Sequence, residues 1–212
     1  MLTRRSRRAS AVASGVVAAA LLGGMLSGCA TAASGAAADP ATIAERASVV
    51  GIAPDLVYTT SVDGYDLAPQ SVGPGAADGM SATWFHNGTG AMVTIRTDRG
   101  ELTAESCAEM PLWDGSDGAV TCTEQDGVWH RTAGGAEEYI AVLDGAMIRV
   151  TGLNEAPTED LRAAAQAVHV PSEAELALLF SDLPTEPPQP VERGDLPDNG
   201  DGAPIDPVGP GG

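Results

Sequence analysis

Three cysteines, three histidines and a complete absence of lysine bound the chemistry open to this 212-residue chain. Cys29 follows Leu26-Ser27-Gly28. An apolar residue, two small residues and a cysteine form the bacterial lipobox. The small residues let a signal peptidase admit an extended backbone for the cut between Gly28 and Cys29, and the Cys29 thiol takes the diacylglycerol. Cys107 and Cys122 are then left as an even pair, which in an oxidising compartment predicts one disulfide. Their midpoint falls in the turn-like run Trp113-Asp114-Gly115-Ser116-Asp117-Gly118, so the bond is expected to staple the base of a hairpin or short loop. In the chain-entropy model such a closure contributes about 3 kcal/mol. A metal or redox role would need closer cysteines or adjacent histidines.

The histidines are His86, His130 and His169, and none has a second histidine or cysteine at metal-ligand spacing. His130 stands beside Arg131, with Glu137 and Glu138 across Gly134-Gly135. Paired strands could gather these groups into an acid/base cluster. A cross-strand charge pair on a solvent face uses the same residues and is the favoured expectation. There is no Gly-x-Ser-x-Gly. The missing lysine removes Schiff-base chemistry, Ser-x-x-Lys acyl enzymes and the lysine-bearing phosphate loop. Gly73-Pro74-Gly75 lacks the strand and helix that would make it a phosphate cradle. Asp195, Asp198, Asn199 and Asp201 fail calcium-loop spacing and have no closing glutamate. Trp84, Trp113 and Trp129 could line a groove, but in a chain this poor in aromatics they are expected to anchor a core. No catalytic residue, metal site or cofactor is expected.

The N-terminus supports the lipobox. Arg4, Arg5, Arg7 and Arg8 precede an uncharged stretch, Ala11 to Leu26, that suits a signal peptide and is short of the roughly 20 residues that span a bilayer. Ser6-Arg7-Arg8 hints at twin-arginine export, so the export route stays open. Residues 1–28 read as signal peptide and 29–38, rich in Ala, Ser and Gly, as a flexible tether. The signal carries four of the eleven arginines and none of the 29 acids, so the mature chain holds seven arginines and a formal charge of −22. Such acidity repels nucleic acid and anionic headgroups, so neither is expected as a direct ligand.

These groups need elements to hold them. All eight aromatics lie between Tyr58 and Phe180, which places one domain at 39–182. Asp39-Pro40 predicts a helix start, with Ile43, Ala47 and Val50 at helical spacing. Strands are expected at Leu56–Val62, Tyr65–Val72, Met80–His86 and Ala91–Thr97, with a loop at Gly73–Gly79. Four more follow at Ala119–Glu124, Val128–Thr132, Glu138–Leu143 and Ala146–Thr151. Asn87-Gly88 predicts a two-residue hairpin turn with positive φ at both positions. Val93 and Ile95 should point inward, Thr94 and Arg96 outward. The turns Asp126-Gly127, Gly134-Gly135 and Asp144-Gly145 permit only antiparallel neighbours. Thr158 should cap a helix bearing Leu161, Ala164, Ala165 and Val168, and Ser172 with Glu175 forms a capping box ahead of Leu176, Leu179 and Phe180. The fold class is therefore α+β: an antiparallel sheet of six to eight strands with helices packed on one face. Residues 183–212, with eight Pro, six Gly and six acids, read as a disordered acidic tail.

The runs Gly51-Ile52-Ala53-Pro54-Asp55-Leu56-Val57-Tyr58 and Gly64–Gly73, with Cys122–Trp129, Glu138-Tyr139-Ile140 and Leu161–Ala165, resemble lipoproteins of high-GC Gram-positive, actinobacterial bacteria that have no known activity. The resemblance spans most of Gly51–Leu178. It implies the same localisation and says nothing of mechanism. The leading expectation is an extracytoplasmic lipoprotein anchored in the bilayer through acylated Cys29, non-enzymatic, binding or bracing an envelope protein or ligand. Two alternatives stand beside it: a carboxylate-dependent hydrolase of an envelope polymer that uses His130, and an accessory or sensor subunit of a transporter.

Overall fold

A computed structural model describes residues 35–113 and 118–187. The expected signal, the lipobox, the turn residues 114–117 and the tail beyond Pro187 lie outside them. The expected tether reached Ala38, but its last residues are docked. Ala37 bridges to Ser172, the Ala38 amide donates to the Pro171 carbonyl at 2.9 Å, and Ala38 is buried.

Helix α1 (Pro40–Val49) starts where Asp39-Pro40 predicts, with the Asp39 carboxylate accepting the Ala41 amide. The strands are β1 (Tyr65–Leu67), β2 (Gly73–Pro74), β3 (Met80–His86) and β4 (Met92–Arg99), then β5 (Thr121–Gln125), β6 (Val128–Ala133), β7 (Ala136–Leu143) and β8 (Ala146–Leu153). They make one antiparallel eight-stranded sheet in the order β1-β3-β4-β8-β7-β6-β5, with β2 also on β3. The three glycine turns of the second half have positive φ at both central residues, as at Asp126 (51°) and Gly127 (82°). That backbone twist matches antiparallel strands.

Helices α3 (Thr158–Gln166) and α4 (Glu173–Leu179) complete the layer that α1 begins. Ile43 and Ala47 of α1, Leu161, Ala164 and Ala165 of α3, and Leu176 and Leu179 of α4 share one core. The sheet supplies that core with Met80, Ala82, Trp84, Val93, Ile95, Ile148 and Val150. Gly152 of β8 lets α3 come close, since a Cβ there would stand 3.0 Å from a Leu161 methyl carbon. A further short helix, α2 (Ala104–Glu109), lies in the long β4–β5 connection and carries Cys107.

Several local expectations give way. Leu56–Val62 is not a strand. A 3-10 turn covers Pro54–Leu56, and Thr59 bridges to His169 instead of joining the sheet. Val57, Tyr58, Thr59 and Thr60 are buried in succession, so the segment runs inside the core rather than along a half-buried face. Tyr65–Val72 divides into β1 and a 3-10 turn at Pro69–Ser71, and the expected loop Gly73–Gly79 holds β2. At Asn87-Gly88 the loop is four residues long and positive φ falls on Gly90. The His86 ring explains the longer loop, because its Nδ1 accepts the Gly88 and Thr89 amides at 3.0 and 3.1 Å. Thr158 does not cap α3. Pro157 holds the cap position, and the Thr158 hydroxyl donates to Glu137 at 2.6 Å. The Ser172–Glu175 capping box forms as expected.

Candidate functional site

Alternation along a strand sends neighbouring side chains to opposite faces. His130 and Arg131 therefore part company, as do Glu137 and Glu138, and the single cluster expected around Gly134-Gly135 becomes two sites. Register completes the sorting. Arg131 lies opposite Glu138, and Arg149 stands diagonally across β8, whose Thr151 is the direct partner of Glu138.

On the face away from α1, α3 and α4, Arg131, Glu138 and Arg149 are packed side by side, with Arg131 0 % and Glu138 1 % exposed. Arg131 pairs with Glu138, and Arg149 Nη1 lies 3.2 Å from the same carboxylate oxygen. The other Glu138 oxygen accepts the Trp113 amide at 3.2 Å. Arg149 Nε also faces Asp98 at 3.4 Å. The cover over this cluster is the segment running from α2 to Trp113. Arg131 donates to the carbonyls of Cys107 and Met110, and Arg149 reaches the Pro111 carbonyl and the Met110 sulfur. Carbonyls at the end of a helix lack internal partners, so guanidiniums satisfy them well. The strap is also covalently fixed: Cys107 is disulfide-bonded to Cys122 on edge strand β5, with Cα atoms 6.2 Å apart. The bond thus joins a helix to a sheet edge rather than closing a simple hairpin.

Burial pushes the Arg131 guanidinium below its ordinary range, and the Glu138 charge draws it back. Arg131 and Arg149 commit their Nη donors to Glu138 and the strap, while the buried Nε of each has no hydrogen-bond partner. At the rim the Arg96 guanidinium lies 4.7 Å from the Trp113 ring centroid, and Arg96 donates to Thr151 at 2.9 Å. Thr94, expected outward, is buried under this cover. Of the three tryptophans expected in the core, Trp84 is buried there, Trp129 is half-buried and Trp113 is 43 % exposed.

The other half of the expected cluster sits at the edge of the helix-covered face. His130 Nε2 is 3.2 Å from Glu137, and the opposite Glu137 oxygen takes the Thr158 hydroxyl. The His130 ring stacks on Tyr139 at 4.5 Å between centroids. Burial, then the Glu137 charge, raises the Tyr139 hydroxyl. This arrangement orients an imidazole against a carboxylate, which is the minimum equipment of a general base. A shallow hollow of about 400 Å³ beside it is lined by Tyr139, Thr158, Glu159, Arg162 and Gln166.

The remaining histidines are structural. His86 holds its turn, and His169 lies 2.7 Å from the Ala167 carbonyl and 3.0 Å from Glu175. A groove of about 210 Å³ runs beneath α4, between the Thr59–Val62 segment, Trp84, Leu178 and Leu179. Among the described residues no group of three or more His, Cys, Asp or Glu is poised to hold a metal ion. Among them, too, no helix is long and apolar enough to cross a membrane.

Sequence reasoning singled out Arg131 and Glu138 but missed Arg149, Asp98 and Met110. One signal was present. Arg149 stands between Ile148 and Val150, which belong to a strand whose first six residues are all buried. An arginine at an outward position there needs an acceptor from a second layer. No family model, curated protein or solved structure matches this chain.

Proposed function

We propose that this chain is a lipoprotein held at the extracytoplasmic face of a cell membrane by diacylated Cys29, and that its α+β domain binds or braces an envelope partner without catalysing a reaction. The carrying observation is the cysteine assignment. Cys107 and Cys122 are bonded to each other, which leaves Cys29, directly after Leu26-Ser27-Gly28, as the cysteine outside that bond. A disulfide suits an oxidising compartment, and a lipobox cysteine suits acylation. Two or three acyl chains hold a protein stably where one gives only marginal attachment. The commitment of Arg131, Glu138 and Arg149 to one another and to the strap supports a scaffolding role for the most densely charged part of the domain. The test is Cys29→Ala. The variant should leave the membrane fraction for the soluble one, and a variant still membrane-bound after a high-salt wash would overturn the reading.

The His130–Glu137 pair favours a second reading, a hydrolase of an envelope polymer with His130 as base. Under that reading purified protein cleaves isolated envelope polymer, and His130→Ala removes the cleavage while leaving the fold intact by circular dichroism. Polymer left uncut by the native protein counts against it.

A further inference from the structure

We propose that the α4 edge of the domain faces the bilayer and the β5 edge, with its disulfide, points away from it; the proposal rests on the lipidation of Cys29 put forward above. Two lengths carry it. Six peptide steps separate Cys29 from Gly35, and a fully extended chain covers at most about 21 Å in that distance. At Gly35 the chain meets the domain. An added Cβ there would stand 3.1 Å from the Ser172 side chain, Ala37 bridges to Ser172, and the Asp39 amide donates to Glu173 at 3.2 Å. The tether therefore joins the domain at the first turn of α4.

That point lies on the β1 side of the sheet. Glu175, one turn further along α4, lines the groove with Tyr65 and Leu67 of β1 and Trp84 of β3. From β1 to β5 the sheet order contains six inter-strand steps, or about 29 Å at roughly 4.8 Å each. A reach of about 21 Å cannot carry the tether across that width. The orientation that sets the β5 edge on the bilayer and the α4 edge a full sheet width above it is thus excluded.

Leu178 of α4 is 51 % exposed, the largest value among the exposed large apolar side chains described, and it forms the lip of the α4 groove. The acids around the tether's entry accept hydrogen bonds within the fold, with Asp39 and Glu173 themselves exposed. Asp39 caps α1, Glu173 accepts the Asp39 amide, and Glu175 closes the capping box of α4. The occupant is the headgroup and upper acyl region of the bilayer that holds the anchor. The β5 edge, which carries Cys122 of the disulfide, is then turned outward.

The test uses the full acylated protein on zwitterionic phosphatidylcholine vesicles that carry an acceptor dye on the lipid. A donor dye is placed through Leu178→Cys in one preparation and Glu124→Cys in another, both at exposed positions with the native disulfide intact. Asp182→Cys, exposed just beyond α4, substitutes for the first should Leu178→Cys fold poorly. The α4-side donor should transfer at least about twofold more strongly, reflecting a separation near the sheet width of about 29 Å. Insertion of twenty Gly/Ser residues between Cys29 and Gly35 should erase the difference, because the reach of a coil that long is comparable to the sheet width. Equal transfer, or stronger transfer from position 124, in protein that floats with the vesicles overturns the orientation alone. Protein that fails to float overturns the anchor and the orientation with it.

Discussion

The two faces of one sheet are both buried, and they are buried by opposite means. The face under α1, α3 and α4 is lined with Met80, Ala82, Val93, Ile95, Ile148 and Val150. Its cohesion is non-directional and grows with the apolar area removed from water. The face under the α2 strap holds Arg131, Glu138 and Arg149, whose burial is tolerated only because each charge meets a charge or a carbonyl. The difference teaches that the first face tolerates imperfect packing, while the second depends on each charge keeping its counter-charge. Apolar swaps of similar volume usually cost less than about 1.5 kcal/mol. Deleting one member of a buried ion cluster leaves a bare charge, which costs about 3–5 kcal/mol.

The largest expected effect tests that dependence directly. Glu138→Gln should destabilise the domain by about 3–5 kcal/mol in urea unfolding, because two arginines lose their shared anion. Replacing Arg131, Glu138 and Arg149 together by Met, Leu and Met should recover only part of that loss, because the strap carbonyls and the Trp113 amide are left without partners. A loss below about 1 kcal/mol for Glu138→Gln would place the cluster in the class of solvated pairs and erase the contrast between the faces.

Next comes the strap. Changing Cys107 and Cys122 together to Ser should cost about 3 kcal/mol by releasing loop-closure entropy to the unfolded chain. Amide exchange should then quicken across α2 and the outward side of β5 and β6, while α3 and the helix-covered core keep their protection. Uniform loss of protection over both faces would show that the two layers open as one unit.

The smallest effect belongs to the helix-covered face and appears only at alkaline pH. Burial, and then the hydrogen bond from Tyr65 to Asp160 at 2.8 Å, raise the Tyr65 hydroxyl to about 12 from an ordinary 10.0. The folded state holds this proton more tightly than the unfolded chain does. The resulting stability is complete below about pH 10 and is lost as pH climbs toward about 12. Tyr65→Phe should flatten that alkaline limb in a series of urea titrations, and an unchanged limb would exclude Tyr65 as its source.

Much of this architecture was legible in particular residues. Met80, Ala82 and Trp84 alternate as a strand must, and they enter the core together. The Asp-Gly and Gly-Gly turns of the second half are local devices, because their positive φ values depend on two residues and a short link. The Ser172–Glu175 box is local in the same way. Leu56–Val62 misled, since β-branched and aromatic residues mark a strand only where a neighbouring strand is available, and this segment finds His169 instead. Thr94 misled as well. Alternation identifies two faces without revealing that a distant segment covers the second one.

The amino-acid order alone determined the class of the fold, the antiparallel pairing of its strands, the starts of α1 and α4 and the pairing of Cys107 with Cys122. Each depends on a short repeat, a local turn or a simple count. Only the tertiary structure decided that His130 and Arg131, adjacent in the chain, serve opposite faces, and that Arg149 and the Met110 carbonyl complete the buried cluster. Arg149 lies 11 residues from Glu138 along the chain, and Met110 lies 21 from Arg131. What brings them together is the need of a desolvated charge for a counter-charge or a carbonyl, and that need can be met only once the layers have closed over it.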